Sequence, residues 1–234
     1  MTAVPSKCAL ALVALALLLA ACSGGGSAPL PTIPSLPADT PTPVPTHPGP
    51  TYPPGCPTTQ PAPLAKTDTR TVTITTDKGD ITIKVDGALS PIATGNFVAL
   101  ASCGYYNGVV FHRVVPDFVI QGGDGEFGRD PDVIPGLVGT GGPPYRIKDE
   151  PVTAKYQRGT VAMERTTAPD SVGSQFFIVL SDKAESALAQ ANTYQIIGNV
   201  TSGMDVVDAI AAAAGGQENP DNPVVMRSVT VTSP

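Results

Sequence analysis

The chain has 234 residues and a formal net charge of −6, with 41% hydrophobic, 15% charged and only 5% aromatic residues. A net negative chain argues against nucleic acid or an anionic lipid headgroup layer as a partner, because both recruit clustered Lys and Arg. Its only histidines are His47 and His112, too few for a histidine metal cluster, so neither a metal nor a cofactor is expected.

Residues 1–21 read as an export signal: Lys7 is the only charge and residues 9–20 are an apolar run too short to span a bilayer comfortably. The run ends Leu19-Ala20-Ala21-Cys22, which resembles the lipobox of bacterial lipoproteins, in which the cysteine is acylated and becomes the mature N-terminus. Cleavage there leaves 13 basic and 20 acidic residues, a charge of −7. The expected location is extracytoplasmic, lipid-anchored through Cys22 to a bacterial membrane. Residues 22–65 follow as a tether: positions 23–65 hold fourteen prolines and one charged residue, Asp39, and cannot bury a core. Fully extended, they reach roughly 130 Å at about 3.1 Å per residue. Two cysteines remain, Cys56 and Cys103; in an oxidising compartment a disulfide between them and a pair of free thiols are both open.

Residues 66–234 are enough for one domain. Alternation of apolar and polar residues over 70–76 and 80–85, with Asp77-Lys78-Gly79 between, predicts a hairpin. Ser90-Pro91 reads as the cap and first residue of a helix whose stripe is Phe97, Leu100 and Ala101, ending near Gly104. Strands are expected at 109–115, 118–121, 161–163, 176–180 and 224–231, and a long glycine- and proline-rich loop at 125–144. Helices are expected at 183–190 and 204–214. Many short strands and few helices point to a mainly β domain, a closed antiparallel barrel in which closure removes exposed edges.

Four blocks carry chemistry: Phe111 to Asp124 (FHRVVPDFVIQGGD), the later GTGGPPY, Met163-Glu164-Arg165-Thr166, and Gly173-Ser174-Gln175-Phe176-Phe177. In this order and spacing they resemble the cyclophilins, peptidyl-prolyl isomerases, across nearly all of residues 70–232. The resemblance implies an eight-stranded barrel with two capping helices and catalysis of rotation about X-Pro bonds. That rotation is opposed by a barrier of roughly 18 to 20 kcal/mol and breaks no bond, so no nucleophile is needed. A guanidinium, charged at any working pH, can donate toward the prolyl nitrogen as its lone pair localises.

By this resemblance Arg113 is the electrostatic catalyst, Gln121 holds a substrate carbonyl and orients Arg113, and Phe118 belongs to the same catalytic group. Phe177, Met163, Val119 and Leu188 join Phe118 in an apolar pocket for the proline ring, Gln175, Arg165 and Thr166 pair with peptide backbone, and Tyr194 stands where many relatives carry histidine. Phe176 should point into the core, opposite to Phe177, and His112 is structural. Glu164 and Val119 depart from the common pattern, which bears on substrate preference. The expected partners are proline-containing segments of exported proteins and, through the anchor, a membrane, with the protein acting as a monomer. The rival reading is a proline-peptide binding module or holdase that turns over poorly.

Overall fold

The computed structural model describes residues 52–233. Its elements run β1 (Thr69–Thr76), β2 (Gly79–Asp86), α1 (Pro91–Ser102), β3 (Arg113–Val115), β4 (Val119–Gly122), β5 (Thr160–Met163), β6 (Phe176–Val179), a 3-10 turn (Asp182–Ala184), α2 (Glu185–Ala191), β7 (Ile196–Ser202), α3 (Met204–Ala213) and β8 (Ser228–Thr232). The hairpin β1–β2 turns through Asp77-Lys78, where the Lys78 N–H donates to Thr76 Oγ1 at 3.0 Å. Gly79 follows at φ 125°, a conformation that a side chain would strain.

All eight strands join one antiparallel sheet in the order β3-β4-β6-β5-β7-β2-β1-β8. The expected closed barrel is corrected here: the sheet curls into an open half-barrel whose edges, β3 and β8, do not pair with each other. Prolines account for this. Pro116 directly follows the three-residue β3, and Pro220 and Pro223 lie in the approach to β8, each without an N–H for a ladder. The gap is crossed by a bridge, Val110 to Val225, flanked by Phe111 N–H to Val224 O and Met226 N–H to Val109 O, both 2.9 Å, and by Gly108 N–H to Met226 O at 2.8 Å.

Side-chain alternation splits the apolar residues into two clusters. The main core lies inside the curl, where Val72, Ile74, Ile83, Ile120, Phe176 and Ile178 meet Phe97 and Leu100 of α1 and Val207 and Ile210 of α3. A smaller cluster on the outer face holds Val119, Ala162, Phe177, Val179, Ile196 and, from α2, Leu188. Strands β4, β5 and β6 are therefore buried on both faces. α1 and α3 cover the core, and α2 is a third, short helix on the other face.

The cap of α1 also differs from expectation. Ser90 makes no capping bond, and its buried hydroxyl has no partner among the described residues. Instead the Glu150 carboxylate, far along the chain, accepts from the N–H groups of Ile92 (3.0 Å) and Ala93 (2.9 Å), satisfying two free donors with a charge that suits the helix N-terminus.

Residues 52–65 lie against the domain although their composition matches the tether. Leu64 N–H donates to Pro91 O at 2.9 Å, Gln60 Oε1 accepts from Lys148 N–H at 3.0 Å, and the Tyr52 ring packs 5.7 Å from that of Tyr105. Cys56 and Cys103 are joined in a disulfide with a Cα–Cα distance of 5.2 Å. The export signal, Cys22 and most of the tether lie outside the described residues, among which no helix is long and apolar enough to cross a membrane.

Candidate active site

A single row of cross-strand partners on the outer face builds the site. Arg113 of β3 pairs with Gln121 of β4, Gln121 with Phe177 of β6, and Phe177 with Ala162 of β5. Residues in register share a face, so two polar groups and an aromatic ring become neighbours despite separations of up to 64 positions. Around this row a cavity of about 370 Å³ is lined by Arg113, Phe118, Val119, Gln121, Phe177, Leu188 and Tyr194, together with Glu164. Phe118 reaches it from the turn after β3, where its N–H donates to Val115 O and its carbonyl accepts from Leu180 N–H. Tyr194 stands edge-on to Phe177, ring centroids 5.3 Å apart at 84°, and its carbonyl accepts from the Tyr156 hydroxyl at 2.9 Å.

Met163 is not in this wall. It is fully buried in the main core, paired with Phe176, while its neighbour Ala162 faces the site opposite Phe177. The strand period of two decides this: Met163 has the parity of Phe176, not of Phe177.

A chain of polar contacts fixes the guanidinium. Arg113 Nε donates to Glu218 Oε1 at 2.8 Å and Nη1 donates to Gln121 Oε1 at 3.2 Å. Gln121 Nε2 donates to Gln175 Oε1 at 3.1 Å, and Gln175 Nε2 donates to the carbonyls of Gly139 (2.9 Å) and Gly141 (3.0 Å). Two of the five guanidinium protons are thereby engaged, and the rest remain for a ligand. The loop that ends this chain is organised by buried Asp124, whose oxygens accept from four backbone N–H groups, those of Glu126, Phe127, Gly139 and Gly141, at 2.7–3.0 Å.

Beyond Gln121 and Glu164 the cavity opens into a polar cleft of about 270 Å³, lined by Gly139–Gly141, Arg146, Arg165, Thr166 and Gln175 among others. Arg165 is not free there. Its guanidinium pairs with Asp149 at 3.0 Å and donates to the carbonyls of Thr166 and Ala168, holding its own loop in shape. Thr166 Oγ1 accepts from Ala168 N–H, a local turn contact. Both residues line the cleft, where these contacts hold their loop in shape.

Burial raises the Glu164 carboxyl from its ordinary value, with the Arg165 N–H and the Arg113 charge pulling the other way. Burial also raises the Tyr194 phenol, helped by Glu164. Neighbouring His112 is buried, neither ring nitrogen has a partner among the described residues, and its pKa falls to about 4 mainly through burial, so it is neutral at working pH. His112 backs a larger cleft of about 610 Å³ between the 130–138 and 219–223 loops. That cleft contains none of Arg113, Gln121 and Phe177, so the smaller cavity is the candidate site.

Residues 71–231 match the family described as cyclophilin type peptidyl-prolyl cis-trans isomerase/CLD, and the chain belongs to that family. Peptidyl-prolyl cis-trans isomerase A of Dickeya dadantii (strain 3937) is 36% identical over 175 residues, covering 72% of this chain and 87% of the relative. Peptidyl-prolyl cis-trans isomerase B of Escherichia coli (strain K12) is 38% identical over 176 residues, covering 69% and 99%. A crystal structure of a Cryptosporidium parvum cyclophilin type isomerase, obtained in the presence of the dipeptide Ala-Pro, aligns with a TM-score of 0.58 at 28% identity, covering 70% of this chain and 99% of that one. The protein is a peptidyl-prolyl cis-trans isomerase.

Two members of the site escaped sequence reasoning. Asp124 closes the Gly-Gly-Asp block ahead of a glycine-rich loop, a pattern that hints at a carboxylate gathering backbone donors. Glu218 carries no local signal at all; it reaches Arg113 across 105 positions, anchored by Val114 N–H to its carbonyl at 2.8 Å.

Proposed function

We propose that this isomerase accelerates X-Pro rotation in exported or cell-surface proteins, working from a lipid anchor on Cys22, with Arg113 as its electrostatic catalyst. The observation that carries the catalytic reading is a guanidinium held by Glu218 and Gln121 at the rim of an apolar cavity. Phe118, Val119, Phe177 and Leu188 receive the proline ring, and Tyr194 closes one side. Gln121, already bonded to both Arg113 and Gln175, holds the substrate carbonyl.

As the amide twists, conjugation is lost and the prolyl nitrogen becomes a better acceptor. A guanidinium proton aimed there binds the twisted form better than either planar isomer, which is the condition for acceleration. A millionfold acceleration requires about 8 kcal/mol. One oriented charged donor supplies a few kcal/mol, and desolvation of the bound peptide supplies more.

The export reading is supported by the apolar run and Leu-Ala-Ala-Cys sequence that ends at Cys22, and by a disulfide, which suits an oxidising compartment. A protease-coupled isomerisation assay tests the catalytic part: Arg113→Ala should lose about 10²- to 10³-fold in kcat/KM. Equal rates for the two proteins would overturn the role of Arg113. Detergent partitioning of Cys22→Ala tests the anchor. The wild type should enter the detergent phase and the variant the aqueous phase, whereas the same phase for both removes the anchor.

A further inference from the structure

Glu164 and Gln121 are the two residues shared by the proline cavity and the adjoining polar cleft, so their side chains form the saddle that a bound peptide must cross. Glu164 leaves β5 directly after Met163, and its N–H donates to Gln175 O at 2.8 Å, which fixes the backbone at this point. Its carboxylate is half-buried and has no ion-pair partner among the described residues.

The other charges near the saddle are already matched. Arg113 is paired with Glu218, and Arg165 with Asp149. Arg146, which also lines the cleft, packs against Gly142 and Gly173, donates to the carbonyls of Pro143 and Tyr145, and is not part of the proline cavity's wall. Glu164 is therefore the unpaired carboxylate, among the described residues, at the point shared by the two compartments. The rotating bond lies at Arg113 and Gln121, so the residue before proline lies on the Gln121 side. One extended residue spans about 3.5 Å, which brings that side chain over Glu164.

We infer that Glu164 is a specificity-determining residue that selects X-Pro bonds in which X is Lys or Arg and disfavours those in which X is Asp or Glu. This inference rests on the proposed placement of proline in the Phe118–Phe177 cavity. A half-buried, unmatched carboxylate gains a partner from a cationic substrate and meets repulsion from an anionic one, at an effective dielectric well below that of water.

Isomerisation of otherwise identical peptides with Lys, Ala or Glu before proline provides the test, in wild type, Glu164→Gln and Glu164→Asp. Wild type should favour Lys over Glu by at least about tenfold in kcat/KM; tenfold corresponds to about 1.4 kcal/mol. The ratio should fall toward one in Glu164→Gln, which keeps size and hydrogen bonding, and largely survive in Glu164→Asp. A wild-type ratio near one, or a ratio unchanged in Glu164→Gln, overturns the inference while turnover of the Ala-Pro peptide leaves the isomerase site standing. Failure of wild type to turn over any of the peptides would overturn both.

Discussion

At the scale of single residues, the site depends on how Arg113 is held. Glu218 is more than half exposed, so the pair is worth only about 0.2–1 kcal/mol and is screened by salt. Glu218→Gln should therefore cost about two- to fivefold in kcat/KM at low ionic strength, and the difference from wild type should shrink as salt is raised. A variant loss as large as that of Arg113→Ala would mean that Glu218 does more than orient. His112 leads to a different expectation. Its pKa of about 4 lies below the usual 6.5, so the folded protein takes up this proton less readily than the unfolded chain. The stability that the neutral ring contributes is fully present above pH 6.5 and is lost as pH falls toward 4, by about 3 kcal/mol. Urea unfolding at pH 7 and pH 4 should show that much extra loss in wild type relative to His112→Leu.

At the scale of elements, the site exists because four short strands are in register. Alternation within 111–121 and 173–177 was legible in the sequence and separated Phe176 from Phe177 correctly. The same rule places Met163 with Phe176, but only the pairing of β5 with β6 shows which face each parity takes. Loop 125–142 is governed by Asp124 rather than by its glycines alone. Replacing that carboxylate leaves four buried or half-buried N–H groups without an acceptor, so Asp124→Ala should destabilise the fold by about 3 kcal/mol in urea melts. It should also lower isomerase activity, since Gly139 and Gly141 supply the carbonyls that hold Gln175.

At the scale of the whole molecule, the folded unit begins before residue 66. The Cys56–Cys103 bond closes a loop across a sequence separation of 47 and ties the 52–65 segment beside the end of α1. By the chain-entropy account such a crosslink is worth about 2–4 kcal/mol. A Cys56→Ser, Cys103→Ser double variant should lose that amount in chemical denaturation, and added reductant should not lower its stability further. An unchanged midpoint would show that the packing of Tyr52, Gln60 and Leu64 holds the segment without the bond.

Local periodicity and punctuation by themselves pointed to every strand except β7, to the helices near 91, 185 and 204, and to the four blocks that carry the family resemblance. Each of these is written within a few adjacent residues. Only the tertiary structure decided what depends on distant groups. Glu150 rather than Ser90 caps the first helix, Glu218 pairs with Arg113, and Asp149 occupies Arg165. Prolines at both edges leave the sheet an open half-barrel. Partners 16 to 105 positions apart leave no trace in local periodicity, because it is chain folding that brings them within hydrogen-bonding distance.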